Sequence, residues 1–379
     1  MQPGCGGPTG VAPIIQLHPT RRCNLACAHC YTESGPRESQ SLALALLREV
    51  LDDAALLGYR QLAVSGGEPL LYESLPALLQ HARSLGLLCT LTSNGLLLSP
   101  RRWAAVAPYV DRLAISVDGR EATHDALRGQ AGALARTLRQ LAQPRSTGTP
   151  FGFIFTLTQH NVHELEDVVA LAVEHGAQSV QVHPLTLHGR ARQTLKEARP
   201  DGLELLAALV EAQRLAQSLQ LRSGVRVQVD ALSQAQIRAY RQRLVPAWPA
   251  AELTALAPVL VLQADGQLLP LTHELPSWLW LGSARDAPLK ILAARWLRSS
   301  ASRQLVQALE RCWQELAEGE QPAAYWYDEV AARALDLGTP VPVPRRPAQP
   351  RVWQAAVKVP GLANITGACA TSDAVLRSQ

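Results

Sequence analysis

The sequence has no apolar run near the ~20 residues that a membrane-spanning helix needs; its longest, 256–262 and 275–282, stop far short. It has no secretory signal either. Residues 1–13 are rich in Gly and Pro, without a basic segment followed by an apolar one. No membrane partner is expected, and the chain reads as soluble and cytoplasmic. Lysine occurs only at Lys196, Lys290 and Lys358, and the formal net charge is +4. The basic pairs Arg101-Arg102 and Arg345-Arg346 lack interleaved aromatic residues, so nucleic-acid binding is not expected. There is no internal repeat. Cysteine is scarce and odd in number, seven in 379 residues, which fits thiols serving metals or chemistry in a reducing compartment better than disulfides.

A hydrophobic share of 47% and a charged share of 18% exclude a disordered or fibrous chain and leave an ordinary globular one. Apolar, β-rich runs at 12–18, 60–65, 87–92, 112–118, 151–158 and 179–186 alternate with helical patterns. In 42–57, Leu46, Val50, Ala54 and Leu57 share one helical face; in 162–175, Leu165, Val168, Val169 and Ala172 do. Asn161 with Glu164 reads as an N-terminal capping pair, and Ser99-Pro100 as a helix start. Six strands alternating with helices predict an α/β fold with a parallel sheet and right-handed crossovers.

Side-chain parity indicates how that sheet is curled. Gln16, His18 and Thr20 share a face; so do Thr90, Thr92 and Asn94, then Ala114, Ser116 and Asp118, then Thr156 and Thr158, then Gln181 and His183. Parallel strands buried on both faces are apolar on both. A polar face repeated on strand after strand predicts a wet barrel interior, with Phe151, Phe153 and Phe155 facing outward under helices. His18, Thr156, Gln181 and His183 read first as satisfied interior polar groups and second as substrate contacts. Past residue 220 the alternation stops. Residues 258–271 read as a hairpin around Asp265-Gly266, followed by helices at about 287–318 and 323–336. The expected organisation is a tail at 1–13, a core at 14–220, a small α+β extension at 221–340 and a Pro/Arg-rich tail at 341–379.

The chemistry is concentrated in Cys23, Cys27 and Cys30, directly after the first strand. A [4Fe–4S] cluster takes thiolates as its usual protein ligands, one per iron. Three cysteines on one loop hold three irons and leave the fourth open to a chelating small molecule, such as the amine and carboxylate of a methionine moiety. The competing reading is a zinc site with His29 or Cys5 as a fourth ligand.

The segment CNLACAHCY, with the strand–helix alternation after it, resembles the radical SAM superfamily. The resemblance runs from residue 14 to about 192 and implies a partial (β/α)6 TIM-like barrel. It implies one [4Fe–4S] cluster on Cys23, Cys27 and Cys30, which cleaves S-adenosylmethionine to a 5′-deoxyadenosyl radical. His29 stands where the family usually has an aromatic residue near the adenine. Gly66-Gly67-Glu68-Pro69 resembles the motif that binds the methionine amine, and Asn94 ends the third strand. Ser116 and Asp118 resemble the segment near the ribose, and Arg128 the group approaching the cofactor carboxylate. His183-Pro184 with Gly189-Arg190-Ala191 is a weaker match to the segment closing strand six.

Residues 258–284 resemble the start of a SPASM (twitch-like) extension, found in peptide- and protein-modifying members. Where such members carry a cysteine this chain has Leu271, and only Cys312 and Cys369 lie downstream. The extension therefore reads as degenerate, without auxiliary clusters. Cys89 reads as a core residue, and Cys5 and Cys369 as free thiols. The resemblance further implies a low-potential electron donor, flavodoxin or ferredoxin. It favours a ribosomally made peptide or protein as substrate, although only 13 residues precede the first strand and leave no room for an N-terminal peptide-recognition domain. A small molecule (a tetrapyrrole, or a cofactor or antibiotic precursor) is the alternative, and a non-catalytic binding protein that has kept the barrel is the rival reading.

Overall fold

The structure is a computed structural model that describes residues 12–220 and 224–338. Strands β1 (Ile14–Leu17), β2 (Gln61–Val64), β3 (Leu88–Ser93), β4 (Arg112–Ser116), β5 (Phe151–Leu157), β6 (Ser179–Pro184) and β7 (Arg226–Val229) lie side by side in sequence order, each parallel to the next. Helices such as Leu44–Leu56, Leu75–Ser84 and Leu165–His175 make the crossovers. The first six strands match the apolar runs of the sequence to within two residues at each end. Burial alternates along β5: Phe151, Phe153, Phe155 and Leu157 are buried, while Gly152, Ile154 and Thr156 between them are half-buried. The phenylalanine face is thus the helix-covered outside, and the polar face lines the curled interior.

The sheet continues past residue 220. The short β8 (Leu232–Ser233) pairs with β12 (Ala323–Ala324), and the hairpin expected over 258–271 is present as β9 (Val259–Leu262) and β10 (Gln267–Pro270). β9 lies parallel to β1, pairing Ile14 with Val259 and Leu17 with Leu262, and β10 and β11 (Gly282–Ser283) continue outward. One ten-stranded sheet, β11-β10-β9-β1-β2-β3-β4-β5-β6-β7, therefore takes strands from both sides of residue 220. One expectation is corrected, at Asn161 and Glu164, neither of which caps the helix Leu165–His175. Asn161 donates to the Asp118 and Thr156 carbonyls and accepts from Thr158, while Glu164 accepts from the Arg120 amide and the Thr123 hydroxyl. Long-range partners at the barrel rim outcompete the local cap. Ser99 does cap its helix, accepting from the Arg102 amide. The segments 1–11 and 339–379, including Cys5, Cys369 and the expected tails, lie outside the described residues.

Candidate active site

The loop after β1 is irregular but closely tied. The Thr20 hydroxyl donates to the Gln40 carbonyl and accepts from the Ser41 hydroxyl, and the Cys23 amide donates to the Gly35 carbonyl. The Ala28 amide reaches the Leu127 carbonyl on the helix Glu121–Arg128. Arg190, from the segment after β6, donates to the Cys27 carbonyl at 2.7 Å and the Ser34 carbonyl at 2.8 Å, and its amide donates to the Cys30 carbonyl at 2.9 Å. Gly189 makes this approach possible, because a Cβ there would lie 2.7 Å from the Cys30 carbonyl oxygen. Gly67 is needed for the same reason, since a Cβ would collide with the Arg22 carbonyl.

This anchoring brings Cys23, Cys27 and Cys30 to the wall of one cavity of about 110 Å³, together with His29, Gly66, Gly67, Asn94, Ser116 and Arg128. Nine of the twelve site residues expected from the sequence line it. Glu68, Pro69 and Asp118 do not.

The two carboxylates lie behind the wall. Glu68 is fully buried and accepts from the Leu70 amide, the Ser93 hydroxyl and the Asn94 amide at 2.9–3.2 Å. Burial raises its pKa despite those donors. Its effect here is on Asn94, whose side-chain amide spans Asn24 Oδ1 at 2.9 Å and Cys23 Sγ at 3.9 Å. Asp118 is fully buried as well; Arg128 Nε donates to it at 2.6 Å and the Thr156 amide at 3.1 Å. Burial pushes its carboxyl up, but the guanidinium outweighs this and holds it well below the usual carboxylate range. His124 Nδ1 accepts from the Asp118 amide, which puts the proton of the neutral ring on Nε2. His29 is neutral, its pKa lowered to about 4 by burial, with Nε2 3.7 Å from Asp118 and Nδ1 buried without a partner.

The donor set fits a cluster. Burial pushes the Cys23 thiol up to about 12 and raises that of Cys27, so neither is a thiolate until a metal supplies the compensating charge. Among the described residues no three His, Cys, Asp or Glu side chains are arranged to hold a metal ion. The thiols are spread around a cavity, as one-thiolate-per-iron ligation asks, whereas zinc gathers four donors on one centre.

Beside this cavity, and sharing Tyr31, Thr32 and Gly66 with it, is a larger pocket of about 410 Å³. His18 and His273 stack in it with ring centroids 4.8 Å apart, and Tyr31 lies 4.8 Å from His273. Burial lowers the His18 pKa to about 3 and that of His273 well below its ordinary value, so both rings are neutral. Deeper in the sheet, Gln181 and His183 both bond Asp230, His183 Nδ1 at 2.5 Å. His183 and Gln181 are satisfied interior groups. Sequence reasoning missed His273 and Asp230. Asp230 follows a four-residue strand, RVQV, too short to read by alternation, and His273 follows the hairpin with no local signal.

Residues 17–172 match the family model described as the radical SAM superfamily. The chain is 35% identical over 187 residues to the pre-heme d1 synthase of Dinoroseobacter shibae, covering 49% of this chain and 46% of that protein. It is 31% identical over 225 residues to the PqqA peptide cyclase of Xanthomonas campestris pv. campestris, covering 56% and 57%. It thus spans about half the length of the curated relatives it matches. In fold it is similar to SuiB of Streptococcus suis, crystallised with S-adenosylmethionine, with a TM-score of 0.61 and 15% identity over 78% of this chain and 68% of that one. Cysteine spacing and parallel sheet agree with that match: residues 17–172 are similar to the radical SAM superfamily, whose members use a [4Fe–4S] cluster and S-adenosylmethionine.

Proposed function

We propose that Cys23, Cys27 and Cys30 each ligate one iron of a single [4Fe–4S] cluster and that S-adenosylmethionine sits beside it against Gly66, Gly67, Asn94 and Ser116. The observation that carries this is the convergence of the three thiols and the Gly66-Gly67 turn on one cavity wall. When bound, a cluster reduced by its external donor would supply one electron to the sulfonium of S-adenosylmethionine, breaking a C–S bond to leave methionine and a 5′-deoxyadenosyl radical, which would take a hydrogen atom from substrate to give 5′-deoxyadenosine and a substrate radical. The chain's own work is to anchor the cysteine loop through Arg190, hold Asn94 in place through Glu68, and keep water from the cavity. His29 faces the nucleoside in place of the usual aromatic residue, Asp118 orients His29 and Arg128 from behind, and Pro69 fixes the turn that carries Glu68. Substrate occupies the adjacent pocket of His18, Tyr31 and His273, and a flavodoxin or ferredoxin docks outside the cysteine loop in the cytoplasm.

The substrate class we favour is a ribosomally made peptide. The alignment with the PqqA peptide cyclase extends over 225 residues, more than the family core. The degenerate SPASM-like extension supplies Gln263, Ala264, Asp265 and His273 to that pocket. A tetrapyrrole is the second reading, supported by the 35% identity to pre-heme d1 synthase.

The test is anaerobic reconstitution with iron and sulfide. About four irons should bind, and reduction with S-adenosylmethionine should release 5′-deoxyadenosine. Cys27→Ala should abolish both; a Cys27→Ala protein that still makes 5′-deoxyadenosine refutes the assignment. Synthetic peptides encoded beside the gene should raise the release rate above the uncoupled one, whereas a rise with iron coproporphyrin alone favours the tetrapyrrole reading.

A further inference from the structure

The three cysteine sulfurs face unequal surroundings. Cys23 Sγ accepts from the Leu25 amide at 3.5 Å and from the Asn94 side-chain amide at 3.9 Å, both neutral donors. Cys30 Sγ lies 3.4 Å from the Thr32 hydroxyl, also neutral. Cys27 Sγ alone, among the described residues, is met by a cation: Arg128 Nη1 donates to it at 3.8 Å. That guanidinium is buried and cannot wander, because its Nε donates to the fully buried Asp118 carboxylate at 2.6 Å. Asp118 is fixed in turn by the Thr156 amide of β5. A planar fork spanning a carboxylate and a sulfur is a geometry that arginine offers and lysine does not.

We infer that Arg128, clamped by Asp118, donates to the Cys27 sulfur of the loaded cluster and sets the cluster's reduction potential. Reduction adds one negative charge, and a donor aimed at a ligating sulfur stabilises the more negative state and raises the potential. Arg128 is here a positioning and tuning residue, a role separate from any contact it makes with S-adenosylmethionine. The inference rests on the cluster assignment above.

Two variants separate directed hydrogen bonding from bulk charge, read by EPR-monitored redox titration of reconstituted protein without substrate. The double variant Asp118→Asn/Arg128→Met removes one charge of each sign, so the net charge is unchanged and the N–H donor to the sulfur is lost. Arg128→Lys keeps the cation and loses the fork. Both should retain about four irons. Both should shift the one-electron reduction equilibrium about tenfold toward the oxidised cluster, which is about 59 mV downward. If the double variant loses its iron, the lysine variant decides alone. Potentials equal to wild type in the iron-loaded variants overturn the inference and leave the cluster assignment standing. A wild-type protein that binds no iron–sulfur overturns both.

Discussion

At the residue scale the cysteines of the proposed cluster site were legible because a spacing within eight positions is a local property, written wholly in Cys23-x3-Cys27-x2-Cys30. Glu68 and Asp118 were legible as part of the site but not in their orientation. The direction of each carboxylate is decided by donors remote in sequence, Ser93 and Asn94 for Glu68 and Arg128 and Thr156 for Asp118. His183 illustrates the same limit, since its partner Asp230 lies 47 residues on. Burial lowers the His183 pKa but Asp230 outweighs it, for a net rise; burial raises the Asp230 pKa but His183 outweighs it, for a net fall. A histidine raised on folding adds stability below its unfolded pKa of about 6.5, lost as pH climbs through the folded value. A carboxylate lowered on folding adds stability above about pH 4, lost as pH falls through the folded value. The pair is therefore expected to stabilise the fold most between about pH 4 and 6.5. Thermal unfolding of wild type and His183→Gln across that range and up to about pH 8.5 checks this. The difference in Tm should be largest near the acid end and shrink on the alkaline side; a gap that widens with pH contradicts the pairing.

Elements were read best where one physical pattern dominates. The first six strands were found because each carries an apolar, β-branched run bounded by helical patterns, and β5 because three phenylalanines alternate along it. β7 was missed because four residues give two periods of alternation, too few to stand out. The failure at Asn161 shows the competing physics more directly. The sequence offers Asn161 a helix to cap, but the rim of the sheet offers two carbonyls, the Thr158 amide and the Thr158 hydroxyl, all taken. Its side chain is a crosslink between the end of β4, the end of β5 and the following turn. Asn161→Ala should leave several of these groups buried and unpaired at ~1–3 kcal/mol each, so a loss of at least about 2 kcal/mol is expected in denaturant unfolding. A loss below about 0.5 kcal/mol would mean that water replaces the amide at no cost.

At the scale of the whole molecule, one sheet takes strands from both sides of residue 220. β9 pairs with β1 along its full length, and Tyr59, at the start of β2, donates its hydroxyl to the Ala257 carbonyl just before β9. The extension thereby braces the very strand that delivers the cysteine loop, and it carries His273 to the pocket beside that loop. A segment that braces the core through main-chain pairing and packing needs no metal of its own to hold its shape. The cysteines agree. Within residues 224–338 Cys312 is fully buried on the helix Ser300–Glu318, its thiol pushed up to about 12 by burial, in the setting of a small core residue and not of a ligand. Leu271, where the sequence resemblance would place a ligand cysteine, is buried against the core. Cys312→Ala should accordingly leave the iron content of reconstituted protein at about four per chain while lowering stability by ~1 kcal/mol for the deleted sulfur. Iron and sulfide counts before and after the substitution, together with the EPR spectrum of the reduced protein, check this. Eight irons in the wild type, falling to four in the variant, would place a second cluster in the extension and return it to the metal-bearing type.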